Sequence, residues 1–221
     1  LLIAGYSIEA FPKKKKMKTV KYLNEHLPVS KVVCIGRNYI EHIEELGNEI
    51  PKNMVVFNKP NSAISNKLYY FSEQCRFEGE ICFLIRHGEI TGVGFGLDLT
   101  HADIQKHLKK KGLPWERAKA FDKSAVLSDF VPLNDPVESL HMKLYINDVL
   151  VQSAEYDLMI YKPHTMLEEI QQFMTLEDND IIMSGTPKGV STYRVGDRFL
   201  GQIYAGEKLL IEVEWIAEDG K

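Results

Sequence analysis

The sequence predicts an α+β domain built on a mostly antiparallel or mixed sheet. Three observations predict it. Apolar runs of strand length recur along the chain, only a few segments have a helical period, and the two do not alternate in the regular βαβ order of a parallel sheet. At 221 residues, 44% hydrophobic and 26% charged, the chain suits one domain with a small appendage and is too apolar for disorder.

Lys31-Val-Val-Cys-Ile-Gly36 reads as a short buried strand ended by glycine. Helical character follows over Arg37 to Leu46, stopped by Gly47-Asn48. Met54 to Phe57 is a strand leading into a turn at Lys59-Pro60. Phe77 to Ile85 is a strand, turned by Arg86-His-Gly-Glu89, and Thr91 to Leu97 is glycine-rich and extended. His101 to Lys111 reads as a helix, with Thr100 as N-cap and Gly112 past its end. Lys143 to Val151 carries an Asn-Asp turn between apolar runs, a hairpin signal. Thr165 to Met174 looks helical, with Thr165 and Glu168 in capping-box spacing. Asp180 to Ser184 is a strand into a turn at Gly185, and Lys208 to Trp215 alternates as a final strand.

The formal charge of −4 disfavours a dedicated nucleic-acid binder, which carries a basic face. That charge is a blend: residues 1–21 hold six lysines and one acid, while the remainder carries 21 bases and 30 acids. We expect residues 1–28 to be an N-terminal extension, with 1–16 a leader ahead of Met17, and residues 29–221 to be the catalytic domain. Lys13 to Lys16 follow the apolar start, the wrong order for a signal peptide, and no apolar run reaches membrane-spanning length. Cys34, Cys75 and Cys82 show no C-x-x-C spacing and fit reduced, buried thiols in a cytoplasmic protein.

Five features carry chemistry. Glu78-Gly79-Glu80 places two carboxylates on one strand face, where they repel unless a cation lies between them. The competing reading is a solvated edge strand. Asp98 ends a glycine-permitted apolar segment. A third carboxylate makes an oxygen-rich site suited to Mg²⁺, Mn²⁺ or Ca²⁺ rather than zinc, whereas alone it reads as an acid at a helix N-terminus. His42 and Glu45 share a helix face at i and i+3, so the carboxylate can fix the imidazole as a base; a surface pair is the plainer reading. Lys119, between alanines and near Phe121, can point into a site and stabilise an enolate, or snorkel on the surface. Lys106, Lys109, Lys110 and Lys111 read as a solvated helix face. Gly185-Thr-Pro-Lys-Gly189 offers N–H groups and the Thr186 hydroxyl to a carboxylate, or is a plain turn. It lacks Walker spacing, and Gly92 to Gly96 lacks the dinucleotide pattern.

Taken in order, Gly36-Arg-Asn-Tyr-x-x-His42-x-x-Glu45, Lys59-Pro60, Glu78-x-Glu80, Leu97-Asp98-Leu-Thr-x-x-Asp-x-Gln105, Lys-Lys-Gly-Leu-Pro-Trp-Glu-Arg-Ala-Lys119 and Gly185-Thr-Pro-Lys-Gly-Val190 resemble the fumarylacetoacetate hydrolase family, in its small single-domain acylpyruvate hydrolase-like branch. The resemblance runs from Val29 to Trp215. It implies a β-rich mixed-sheet roll with peripheral helices, assembled as a homodimer. It implies Mg²⁺ or Mn²⁺, with Ca²⁺ as a substitute, on Glu78, Glu80 and Asp98. His42 and Glu45 fall on the catalytic dyad and Lys119 on the substrate-site lysine. Arg37, Gln105, Gly185 and Thr186 make up the substrate-binding set. Phe77 stands where the family usually has His, Ala102 where it usually has Arg, and the interval from Glu80 to Asp98 is short. The implied activity is metal-dependent hydrolysis of a C–C bond in 2,4-dioxo acids (acylpyruvates), giving pyruvate and a carboxylic acid. The alternative is a tautomerase, isomerase or decarboxylase acting on oxaloacetate or a related 2-oxo diacid. A non-catalytic metal and oxo-acid binding module ranks third. The expected partner is a small 2-oxo acid, with no nucleic acid and no membrane.

Overall fold

The computed structural model describes residues 17–45 and 51–220. A β-hairpin opens it, with β1 at Thr19–Tyr22 and β2 at Glu25–Pro28. β3 (Lys31–Gly36) follows as expected, while α1 (Ile40–Glu45) begins three residues later than the expected start at Arg37, whose φ of 58° is not helical; Leu46 and the Gly47-Asn48 stop lie outside the described residues. β4 (Val55–Pro60) runs straight through the expected turn, because Lys59 and Pro60 pair with Val32 and Lys31. After short strands β5 (Ile64–Ser65) and β6 (Tyr69–Tyr70), the chain enters β7 (Cys75–Phe77) and then β8 (Gly79–Arg86), with Glu78 between them. A turn at His87-Gly88 leads into β9 (Glu89–Asp98), then β10 (Thr100–His101).

α2 (Ala102–Lys111) ends at Gly112 in the left-handed region, φ 62°. Thr100 does not cap it, since that residue is drawn into β10 and bonds elsewhere. α3 is one turn, Glu116–Lys119, followed by β11 (Ala125–Leu127) and β12 (Val131–Pro132). The expected hairpin comprises β13 (Leu140–Ile146) and β14 (Val149–Glu155). Asn147 and Asp148 both have positive φ, 49° and 67°, the pattern of a type I′ turn. α4 (Pro163–Gln171) starts two residues before Thr165, with Pro163 in its first turn and no side-chain cap, so the capping box does not form. β15 (Ile181–Met183), β16 (Ser191–Thr192), β17 (Arg198–Ala205) and β18 (Lys208–Ile216) complete the main elements. β17 went unread in the sequence, although it alternates strictly between half-buried and buried positions.

The strands form a large mixed sheet ordered β4-β3-β15-β8-β9-β11-β5, an antiparallel sheet β14-β13-β17-β18, and a small sheet β10-β7-β16. β15 runs parallel to β3 and β11 parallel to β5. β8 is buried on both faces, so it reads as one apolar run. Ile81, Phe83 and Ile85 join the core shared with the four-stranded sheet, and Cys82 and Leu84 join a second cluster behind it. Gly92, Gly94 and Gly96 form one stripe on β9 because bulky groups press there: a Cβ would lie 2.9 Å from Tyr22, 2.7 Å from Phe130 and 2.5 Å from Cys82 respectively. The second cluster is covered by β1 and β2, which bury Val20, Tyr22 and Leu27. That part of the expected extension is therefore packed onto the body; the leader expected at 1–16 lies outside the described residues. The three cysteines are buried free thiols. Among the described residues, no helix is long and apolar enough to cross a membrane.

Candidate active site

The site forms where the chain changes sheets. Glu78 links β7 of the small sheet to β8 of the large one, Glu80 is the second residue of β8, and Asp98 closes β9. The antiparallel register sets Gly79 beside Leu97 and Glu80 beside Gly96. The Asp98 N–H donates to the Glu78 carbonyl at 2.8 Å. One carboxylate oxygen from each acid lies within 4.8 Å of the others. Glu80 and Asp98 are only 2% and 1% exposed, which excludes a solvated edge strand. Asp98 ends a strand, and α2 begins only at Ala102, so its acid does not serve a helix N-terminus.

Two lysines answer these charges. Lys119, the last residue of α3, donates to Glu78 Oε2 at 2.9 Å and to Asp98 Oδ2 at 2.7 Å. At 3% exposure it is not snorkelling. Lys59 is fully buried, with Nζ 2.7 Å from Asp98 Oδ1 but off the direction of a hydrogen bond. It instead donates to the Leu99 carbonyl at 3.3 Å, to Ser124 Oγ at 3.1 Å, and to the Lys119 carbonyl. With all three carboxylates ionised, as cation binding requires, the two ammonium groups leave one net negative charge. All candidate ligands are oxygens, and Asp98 Oδ1 accepts no hydrogen bond among the described residues. That donor set fits a hard divalent cation such as Mg²⁺, Mn²⁺ or Ca²⁺.

Burial and the charges of Asp98 and Glu78 push the Glu80 pKa well up, against the Gly185 N–H that donates to it at 2.7 Å. Burial works the same way on Glu78. There the charge of Lys119 prevails, with hydrogen bonds from Lys119 and from Thr100 Oγ1 at 2.8 Å, and holds it below the usual carboxylate value. Burial opposes the charge on Lys119, but Asp98 and Glu78 raise its pKa, so it remains an ammonium.

His42 lies on α1, 6% exposed, with Nδ1 3.2 Å from Glu45 Oε2. The Glu45 carboxylate also accepts from the Gly189 N–H at 3.1 and 3.3 Å, which ties the dyad to the 185–189 turn. Gly189 has φ 99°, and a Cβ there would sit 2.0 Å from the Val151 carbonyl, so only glycine fits. Asn38 anchors the start of α1: its Nδ2 donates to the Ser184 and Tyr161 carbonyls at 2.8 and 3.1 Å.

A cleft of about 40 Å³ gathers Arg37, His42, Glu78, Gln105 and Lys119, walled by Phe57 and Trp115 at 5.8 Å between ring centroids. That space holds roughly three waters, so it suits a small polar ligand. Arg37 is held at φ 58°, a left-handed conformation that costs about 1–2 kcal/mol in a non-glycine residue. Gly185 and Thr186, in the turn, make internal hydrogen bonds. The Gly185 N–H serves Glu80, while the Thr186 hydroxyl donates to the Gly79 carbonyl at 2.9 Å and accepts from Gln152 Nε2 at 2.9 Å. A larger, mostly apolar cavity of about 190 Å³ lies by Ile40, Leu158, Met159 and Pro187 and includes no member of the triad.

Residues 31–217 match the family model of the fumarylacetoacetate (FAA) hydrolase C-terminal domain. The chain belongs to the fumarylacetoacetate hydrolase family. It is 36% identical to the oxaloacetate tautomerase YcgM of Escherichia coli (strain K12), a similarity covering 77% of this chain and 86% of that protein. It is 33% identical to the mitochondrial oxaloacetate tautomerase FAHD1 of Bos taurus, covering 83% and 91%. The crystal structure of fumarylpyruvate hydrolase from Pseudomonas aeruginosa, in complex with Mn²⁺ and pyruvate, superposes with a TM-score of 0.83 at 26% identity, covering 95% of this chain and 98% of that one. Members of this family with which the chain aligns are thus named both as tautomerases and as hydrolases.

The α+β reading and the family's mixed-sheet fold agree with the structure. Two of the sequence's departures from the family pattern have simple places in it. Phe77 is in the core, edge-on to Phe199 at 5.2 Å, and Ala102 opens α2 with its N–H bonded to the Gln74 carbonyl. Lys59 and Gln152 escaped the sequence reading as site residues. Lys59 had one usable signal, a lone lysine closing an apolar strand. Gln152 sits inside an ordinary alternating strand and had none. Its Oε1 accepts from the Gly79 N–H at 2.9 Å and its Nε2 donates to Thr186 and Pro187, joining the start of β8 to the 185–189 turn.

Proposed function

We propose that this protein is a divalent-metal-dependent keto–enol tautomerase of oxaloacetate, and we rank hydrolysis of acylpyruvates second. The carrying observation is the cleft: an acidic triad braced by a permanently charged Lys119, with a His–Glu dyad at its rim. The names of the relatives move the weight from the C–C hydrolase first expected to the tautomerase kept as its alternative.

Glu78, Glu80 and Asp98 would hold Mg²⁺ or Mn²⁺, with Ca²⁺ as a substitute. A cation there supplies Lewis-acid polarisation of the 2-oxo acid's oxygens. Glu45 orients His42 through Nδ1, which leaves Nε2 to take the proton from C3 of the keto form. The electron pair of that C–H bond moves to C2–C3, and negative charge develops on the C2 oxygen. Lys119 faces that charge as a donor; its raised pKa makes it an electrostatic stabiliser and not a base. The proton taken up by His42 Nε2 is then delivered to that oxygen, directly or through a water, which completes the enol and returns the imidazole to its neutral form. Arg37 and Gln105 position the substrate from the cleft wall. Hydrolysis would use the same dyad to deprotonate a water beside a C4 carbonyl, and the intact dyad favours it as the second reading.

The working unit is a homodimer of the 25.3 kDa chain in a reducing, cytoplasmic setting. A monomeric species in sedimentation velocity would contradict that assembly. The activity test follows the enol absorbance of oxaloacetate with Mg²⁺, in parallel with release of pyruvate and acetate from acetylpyruvate. Accelerated enol–keto exchange is expected. Acetate release without it would reverse the ranking. His42→Ala should slow the exchange by about 10²–10⁴-fold, and an unchanged rate would remove His42 from the chemistry.

A further inference from the structure

We propose that Gln152 is a positioning residue for the His42–Glu45 dyad: its buried carboxamide clamps the 185–189 turn to the start of β8 and so sets where the Gly189 N–H holds Glu45; this rests on the dyad's role in the reading above. Gln152 lies on β14 opposite Leu144 of β13, in a different sheet from Glu80 and Asp98. Met142, Leu144 and Ala154, its neighbours on that sheet, belong to the apolar core, and at 2% exposure its amide is buried with them. A polar group in such a place is costly unless its hydrogen bonds are made. Here they close a ring. The Gly79 N–H donates to Gln152 Oε1 at 2.9 Å, Gln152 Nε2 donates to Thr186 Oγ1 at 2.9 Å, and the Thr186 hydroxyl donates back to the Gly79 carbonyl at 2.9 Å. Gln152 Nε2 also reaches the Pro187 and Lys188 carbonyls, at 3.0 and 3.4 Å.

Two glycines make room for this side chain. A Cβ at Gly79 would lie 2.9 Å from Gln152 Oε1, and one at Gly189 would lie 3.2 Å from Gln152 Cγ. Gly79 separates the two glutamates of the triad, and the Gly189 N–H is the group that donates to Glu45. Gln152 thus contacts both halves of the site. The two halves differ in freedom. β8 is fixed by its ladders to β15 and β9, whereas the 185–189 turn lies between β15 and β16 and belongs to no strand. Its near end stays tied to Glu80 through the Gly185 N–H at 2.7 Å, so loss of the clamp falls on the far end, at Gly189. A carboxylate only accepts, so His42 Nδ1 carries the proton that faces Glu45. A displaced Glu45 leaves the imidazole free to take its other tautomer, whose Nε2 cannot accept a proton.

The test compares wild type with Gln152→Met, which keeps the length of the side chain and lacks both amide functions. With oxaloacetate and Mg²⁺, kcat should fall by about 10–100-fold, the effect of a misplaced catalytic group. In a His42→Ala background the same substitution should change the residual rate by less than about threefold, because its route runs through that imidazole. Nitrogen-15 NMR of the Mg²⁺-loaded protein, above the ordinary imidazole pKa of about 6.5, gives a readout besides activity. His42 should be the Nδ1–H tautomer in wild type and a mixture of both tautomers in Gln152→Met. An unchanged tautomer, or an equal loss of rate in both backgrounds, would overturn the proposal; a lower stability with rate and tautomer unchanged would make Gln152 a packing residue and overturn it as well. If Gln152→Met does not fold, Gln152→Asn, which keeps the amide but is one methylene too short to span both sides, is read in the same way. If neither oxaloacetate nor acetylpyruvate is turned over by wild type, the activity reading fails, and the tautomer alone decides the role of Gln152.

Discussion

At the scale of single residues, the meaning of a charge is set by what it meets. Lys59 and Lys119 stand 60 positions apart, yet both ammonium groups reach Asp98. Removing one member of such a buried set leaves the others uncompensated, which typically costs about 3–5 kcal/mol. Lys59→Met should accordingly lower the unfolding free energy measured in urea by an amount in that range, and should also weaken Mn²⁺ binding because Asp98 loses its brace. A stability change within about 0.5 kcal/mol would show that Lys59 is spectator charge. His101 gives a pH prediction. It stacks on Phe121 at 4.1 Å between centroids, and burial, with a smaller contribution from Lys59, lowers its pKa against the pull of Asp103. The folded state thus binds this proton less well than the unfolded chain. The contribution is present above the ordinary histidine value of about 6.5 and is lost as pH falls below it. His101→Gln should therefore lose less stability than wild type between pH 7.5 and pH 5.0 in chemical denaturation; parallel losses would refute the assignment.

At the scale of elements, β8 and β9 position the chemistry. Their antiparallel register fixes Glu80 beside Gly96 and brings Asp98 to Glu78. Gly96→Ala should push on Cys82 Sγ, 2.5 Å from the new Cβ, and displace β8 at Glu80. A destabilisation of about 1–3 kcal/mol is expected, with reduced metal affinity by calorimetry; a variant as stable and as tight-binding as wild type would show that the sheet yields without moving the site. Most of these elements were legible. Apolar runs marked β3, β8 and β15, and the Asn147-Asp148 turn marked the β13–β14 hairpin. The misreadings share a cause. Lys59-Pro60 has the local propensity of a turn and Thr165 that of a cap, but the neighbouring strand β3 and the preceding Pro163 override them.

At the scale of the molecule, three sheets meet where Glu78 leaves one and enters another, and the hairpin at residues 19–28 seals the back of the large sheet. A divalent cation bound only by the folded state should stabilise the whole by mass action, about 2.7 kcal/mol at a hundred times its dissociation constant. Chelation of the purified protein should lower its melting temperature, and Mg²⁺ or Mn²⁺ should restore it. Glu80→Gln should abolish that restoration. A melting temperature indifferent to metal in wild type would argue against the triad as a cation site.

The sequence by itself determined the order of the chemical groups: paired glutamates, a later aspartate, a His–Glu pair one helical turn apart, and a lysine between alanines. Those types and spacings are local, so they survive in a linear reading and carry the family. Only the tertiary structure decided which charges are buried together. Lys59 and Gln152 join the buried groups around the triad, Thr186 is tied to Gly79 and Gln152, and Lys109 is set apart from its solvated neighbours. Charge compensation and hydrogen-bond satisfaction depend on distances across the sheets, between residues such as Gly79 and Gln152 that are 73 positions apart. A linear chain holds no record of those distances until it folds.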